Sequence, residues 1–210
     1  MTSKSSPRKS RRKPSGAFHH GNLREAVLDA AGEAIEADGA RKLSLRALGR
    51  ALGVSDAAIH RHFKGRDAVL AAVGHRGVVG LAAAMSESAD APGPLADRMV
   101  AMGMAYVRYC HAHPGWFRLW ASRDFQEGAG DAPPAEVLQA GLSMTESLKR
   151  NLAMVHPPEQ VDDQFRMFWG LSHGLAGLVV ERAFRLVETD EERLEVAQAA
   201  LHCAVAPLRG

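Results

Sequence analysis

At 210 residues, with 46% hydrophobic and 24% charged side chains, the chain has the make-up of an ordinary globular protein, long enough for one sizeable domain or a small domain plus a larger one. No uncharged apolar run of membrane-spanning length stands out, and the basic first residues lack the apolar core of a secretory signal, so a cytoplasmic protein with no membrane partner is expected. The net charge of +2 is unevenly spread, with +6 on residues 1–16, +2 on residues 17–77 and −6 on the rest, which suits a nucleic-acid-facing N-terminus and a body that stays away from phosphate.

Two cysteines, Cys110 and Cys203, lie far apart with no second thiol at ligand spacing. They exclude a disulfide framework and a zinc site and read as two buried thiols in a reducing compartment. The pairs His19-His20 and His111-x-His113 lack further ligands at useful spacing, so neither a metal nor a cofactor is expected.

In chain order, residues 1–16 are rich in Ser, Pro, Lys and Arg and too polar to build a core, which predicts a disordered arm. Its Arg11, Arg12 and Lys13 are candidates to follow the phosphates or the minor groove. Asn22 and Glu25 form a capping-box arrangement that opens a first helix, with apolar positions Leu23, Val27, Ala31, Ala34 and Ile35, closing near Asp38-Gly39. Ser44 caps a second helix with an apolar stripe at Leu45, Leu48 and Leu52. Gly53 then supplies the positive φ that ends it, and Ser55 caps a third helix bearing Ile59 and Phe63 and ending around Phe63-Lys64-Gly65. Gly49 lets the second and third helices cross closely. Residues 44–63 therefore read as a helix-turn-helix whose second member presents Asp56, Ala57, His60, Arg61 and His62 to a groove.

A fourth, long helix runs from Arg66 through Leu70, Val73 and Leu81 toward Met85, and Ala91-Pro92-Gly93-Pro94 breaks the chain after it. Helices are then expected from Leu95 to His111, over Trp116–Trp120, from Pro133 to Val155, over residues 159–187 and over residues 190–206, with a loop at residues 126–134. The helix over residues 159–187 is apolar nearly all round between Phe165 and Phe184, so it must be covered on both sides, by its own core and by a further element, for which a second subunit is one candidate.

The stretch Phe18-His19-His20-Gly21-Asn22-Leu23-Arg24, the segment from Leu43 to Phe63 and the following Arg66-Asp67 and Leu70 resemble the tetracycline-repressor (TetR) family of transcriptional regulators over about fifty residues. His113–Leu119 and Trp169–Leu175 resemble the effector domain of a branch named for its Trp, His and Gly. The resemblance implies an all-α homodimer of nine or so helices: three N-terminal helices for double-stranded operator DNA, about six C-terminal helices for a small-molecule effector and dimerisation. It also implies repression relieved by the effector. The expected organisation is an arm over residues 1–16, a DNA-binding domain over 17–76 and a ligand-binding and dimerisation domain over 77–210. His60 departs from the family's pattern, which most often has Tyr at that position reaching a phosphate.

Sorted by role, Ser44, Arg46, His60, His62 and Arg66 are placed for phosphates, with a base as the alternative for His60, and Ser55, Asp56, Ala57 and Arg61 for base edges, with a phosphate as the alternative for Arg61 and Asp56 favoured as a cap of its own helix. A protein-association role for the hairpin is the competing reading, against which stand the basic arm and Arg61. Met102, Tyr106, Phe117, Trp120, Phe125, Met144, Trp169 and His173 are candidates to line an apolar effector pocket, with His173 its polar anchor. Gly170, Gly174 and Gly177 form a smooth stripe where another helix can approach closely, read as the dimer contact, with the chain's own helices as the alternative. Gly170-Leu171-Ser172-His173-Gly174 also satisfies G-x-S-x-G, but no strand precedes it and the serine sits inside a long helix, so no hydrolase is expected.

Overall fold

The computed structural model describes residues 23–122, 125 and 133–209. The arm with Arg11, Arg12 and Lys13, the Asn22 half of the expected capping box and most of the expected 126–134 loop lie outside the described residues. Among the described residues there are nine α-helices and no strand. They are α1 (Leu23–Asp38), α2 (Leu45–Leu52), α3 (Asp56–His60), α4 (Arg66–Ala89), α5 (Leu95–Ala112), α6 (Pro114–Trp120), α7 (Ala135–Leu152), α8 (Pro158–Val180) and α9 (Asp190–Ala204).

Two hydrophobic cores form. The first gathers Val27 and Ile35 of α1, Leu48 of α2, Ile59 of α3 and Val69 of α4. The second is larger and built from α4 to α9, with Leu81, Met99, Tyr106, Phe168 and Leu201 among its buried members. Helix α4 belongs to both: Val69 and Val73 enter the first core, Leu81 and Met85 the second. Each such fully buried aliphatic side chain contributes about 1.5–3 kcal/mol, so the two cores hold opposite ends of one helix. By length and composition α4 is apolar enough to cross a membrane, although Arg76 interrupts its apolar run. Its sides instead pack on α5, α6 and α7, and Arg76 pairs with Glu25 and Asp29 of α1.

Three helices end earlier than periodicity suggests. Helix α3 stops at His60, where the amides of His62 and Phe63 both donate to the Ile59 carbonyl and tighten the chain into a turn. Phe63 thereby turns into the first core, and Arg61 and His62 stand just past the helix. Helix α7 stops at Leu152, whose carbonyl accepts from both Val155 and His156. Helix α8 stops at Val180, seven residues before the expected end, because Arg182 adopts a left-handed φ of 51°. The Ala183 amide then donates to the Leu178 carbonyl and that of Arg182 to the Val179 carbonyl, a Schellman closure made without glycine. Helix α9 opens on a capping box of Thr189 and Glu192. Of the two thiols, Cys110 is buried as expected, but Cys203 is exposed on the outer side of α9.

Candidate nucleic-acid interface and effector cluster

The turn between α2 and α3 is built by local chemistry. The Ser44 hydroxyl accepts from the Ala47 amide and the Ser55 hydroxyl from the Ala58 amide, while Gly53 closes α2 at φ 68°. Each serine keeps its own O–H to donate outward. A Cβ on Gly49 would come within 3.1 Å of the Val54 carbonyl and 3.2 Å of the Asp56 carboxylate, so the crossing of α2 and α3 leaves little room for one.

On this scaffold Ser44, Arg46, Ser55, Asp56, Ala57, His60, Arg61 and His62 are all exposed. Arg46 and Arg50, one turn apart, share the outer face of α2, and Lys64 is exposed just beyond α3. Arg50 and Lys64 were not singled out in the sequence, although the i, i+4 spacing from Arg46 marks the first of them. Arg66 departs from its expected phosphate role. Its guanidinium donates to the carbonyls of Leu43 and Ala40 and pairs with Asp67, which ties the segment before α2 to the start of α4. Ser55, not Asp56, caps α3 by hydrogen bond; Asp56 occupies the first turn, where the helix dipole favours an acid.

The second cluster is centred on His173 of α8. The Tyr106 hydroxyl lies 2.9 Å from its Nδ1, and the rings of Phe117, Trp120 and Trp169 lie 5.2, 5.5 and 5.6 Å from the imidazole, Trp169 stacked on it. Burial raises the Tyr106 phenol and lowers the His173 imidazole from their ordinary values, and it pushes the neighbouring Cys110 thiol up to about 12. The polar centre of the cluster is therefore uncharged at neutral pH. Met102 is buried in the same core. Met144 packs against this core and, with Met102, Met85, Ser86, Ser143 and Ser147, lines a cleft that has room for little more than a water molecule. One expected member lies elsewhere. Phe125 packs against the first core, edge-on to His75 at 6.1 Å.

Between the two clusters runs a feature that periodicity and motifs did not reveal. Gly74, Gly77 and Gly80 of α4, spaced three apart, each receive an aromatic side chain where a Cβ would stand: Phe125, Trp116 and Tyr109 in turn. Trp116 also donates from Nε1 to the Gly74 carbonyl at 2.9 Å. The spacing is visible as Gly-x-x-Gly-x-x-Gly; the occupants are not.

Along α8, Gly170 and Gly174 have nothing within 4 Å of a Cβ position, whereas Gly177 turns toward its own chain, 3.9 Å from Phe117. The open glycines share the outer side of α8 and α9 with exposed Met167, Trp169, Leu178 and Val196. Ser172 is buried and its hydroxyl donates to the Phe168 carbonyl, which leaves it as an ordinary helical serine.

A capped helix-turn-helix joined through one shared helix to an aromatic-lined helical body defines an all-α DNA-binding regulator. Residues 27–73 match the family model of bacterial regulatory proteins of the tetR family, and residues 99–201 match that of the tetracyclin repressor-like C-terminal domain. Together the two models cover well over half of the chain. It belongs to the TetR family and is a ligand-responsive, DNA-binding transcriptional regulator, not an enzyme. A protein of unknown function from Rhodococcus sp. RHA1 superposes with a TM-score of 0.71 at 26% identity, over 90% of this chain and 98% of that one. A TetR/AcrR-family transcriptional regulator from Thermobifida fusca YX-ER1 gives 0.64 at 17% identity, over 87% and 97% of the two chains. A TetR variant from Acinetobacter baumannii AYE in complex with minocycline gives 0.60 at 18%, over 88% and 96%. No curated protein sequence matches the chain.

Proposed function

We propose that the protein is a cytoplasmic, homodimeric repressor that releases its operator when a small molecule enters the cluster around His173. Residues 17–76 would form its DNA-binding domain and residues 77–210 its effector and dimerisation domain. The observation that carries the DNA half is the exposed row Arg46, Ser55, His60, Arg61 and His62 on and beside α2 and α3, whose backbone is fixed by two serine caps and one left-handed glycine. In this reading Ser44, Arg46, His60 and His62 hold phosphates, and Ser55, Ala57 and Arg61 meet base edges, with Arg61 suited to a guanine. Asp56 supports α3 electrostatically. The basic arm, with Arg11, Arg12 and Lys13, adds phosphate contacts outside the recognition helix.

The dimer rests on the outer side of α8 and α9. Gly170 and Gly174 would allow a partner helix to approach closely, and a second chain would cover the exposed apolar side chains beside them. Two α3 helices would then read two half-sites one helical turn apart, about 34–36 Å, or a multiple of it. For the effector, the rings of Phe117, Trp120 and Trp169 and the uncharged Tyr106–His173 pair suit a largely apolar, aromatic molecule that exchanges a hydrogen bond with His173. Selecting fragments of the source genome on the full-length protein and footprinting the recovered sites tests the reading. A palindromic site with helical-turn spacing is expected; recovery of no sequence-specific site would favour a helical dimer whose hairpin serves protein association.

A further inference from the structure

The first turn of α6 begins with Pro114, which has no N–H, and carries no side-chain cap of its own. The Phe117 amide closes onto the His113 carbonyl, which leaves the amides of Gly115 and Trp116 to be satisfied from elsewhere. Both are taken by one side chain from α1. Gly115 donates to Oε2 of Glu36 at 2.6 Å and Trp116 to Oε1 at 3.1 Å.

Nothing in α1 itself favours an acid there. Glu36 lies in the last turn, without a basic residue in that turn, where the helix dipole disfavours a carboxylate; at the start of α6 the same dipole favours it. The approach is backbone on backbone, since a Cβ on Gly115 would stand 2.5 Å from the Ile35 carbonyl oxygen and 2.7 Å from the Glu36 Cα. On its far side α6 starts a ladder of rings: Trp116 stacks on Trp120 at 5.9 Å, Trp120 meets His173 at 5.5 Å, and His173 stacks on Trp169 at 5.6 Å. Helix α1 in turn packs on α2 and α3.

We propose that Glu36 is the positioning residue that ties the recognition helices to the effector cluster. Its carboxylate makes α1 move with α6, so that a displacement of the rings around His173 is delivered to α2 and α3. This rests on the reading of those two regions as DNA-binding and effector-binding.

Coupling is reciprocal in binding free energy, so a displacement carried through Glu36 is expected to run from the operator to the rings as well. The three tryptophans of the chain, Trp116, Trp120 and Trp169, all belong to the ladder and none to α1, α2 or α3. Their emission therefore reports transmission without any knowledge of the effector. The probe is a duplex recovered from genomic DNA by the full-length wild-type protein. Wild type is expected to change its tryptophan emission on binding this duplex. Glu36→Ala and Gly115→Ala are expected to bind it within about threefold of wild type while losing most of that change, and Glu36→Gln, which retains one acceptor oxygen, keeps part of it. Glu33→Ala, exposed on the same helix, keeps all of it.

An undiminished emission change in folded Glu36→Ala overturns the proposal. So does loss of operator binding by a folded Glu36→Ala, which makes Glu36 part of the DNA-binding scaffold, and so does a wild type whose emission ignores DNA. If Glu36→Ala does not fold, the Glu36→Gln response decides in the same way. Failure to recover any duplex strikes the DNA-binding reading itself, and the proposal falls with it.

Discussion

Replacing Gly77 by alanine adds one methyl group, and the structure sets the sign of its effect. The new Cβ would overlap the indole of Trp116, which is 4% exposed and held by its hydrogen bond to the Gly74 carbonyl, so the ring has nowhere to turn. Overpacking of this kind costs about 1–3 kcal/mol, and displacing the ring leaves its buried indole N–H without an acceptor for about 1 kcal/mol more. Against these stands the helix preference of alanine over glycine, about 1 kcal/mol. The net is a loss of about 1–3 kcal/mol, or a melting midpoint lower by about 3–10 °C in a chain of this size. Gly32→Ala provides the contrast within the same protein. Gly32 lies inside α1 with nothing within 4 Å of a Cβ, so only the propensity remains, and stability should rise by about 0.5–1 kcal/mol. Thermal unfolding followed by circular dichroism on both variants measures the pair of signs. A Gly77→Ala protein as stable as Gly32→Ala would refute the glycine track as the seat of Trp116.

Further outcomes follow from the sites. Gly174→Phe should leave the protomer folded, because the position is open, and weaken self-association by at least about 30-fold, the scale of a strong interface residue; sedimentation velocity showing an intact dimer would move the partner contact off α8. Burial holds the His173 imidazole below its ordinary 6.5, so the unfolded chain binds the extra proton first and stability falls as pH drops through that value, levelling off below the folded pKa. Urea midpoints at about pH 7.5 and about pH 5 should therefore differ more in wild type than in His173→Phe. Deleting residues 1–16 should reduce the salt dependence of operator binding by up to about 0.9 logarithmic units for each phosphate that the arm neutralises; an unchanged slope in fluorescence anisotropy removes the arm from the interface.

Much of the helix-turn-helix was legible because its determinants are local. Ser44, Gly53 and Ser55 act on amides and dihedrals within three residues of themselves, and the spacing of Leu48, Ile59 and Phe63 announces which sides are buried. The convergence of Tyr106, Phe117, Trp120 and Trp169 on His173 was also anticipated, although the reason was residue type and not position. Phe125 shows the limit of that reasoning, since a large side chain fills whichever core it reaches. The end of α8 was illegible for a different reason: Arg182 takes the left-handed conformation that a sequence reader reserves for glycine or asparagine.

By itself the sequence determined what nearest neighbours can decide: helical class, the capped turn, the polarity of charge between a basic N-terminus and an acidic body, and family membership through the motif at residues 18–70. Only the tertiary structure decided the long-range partners. Glu36 meets α6 across 79 positions of sequence, Arg66 reaches back 26 residues to Ala40, and three glycines of α4 receive rings from residues 29 to 51 positions away. Capping and periodicity act over one or two helical turns, whereas these contacts depend on how two cores share α4. No local pattern encodes that sharing, so the contacts that join the His173 cluster to α2 and α3 through α6 and α1 emerge only when the chain is packed.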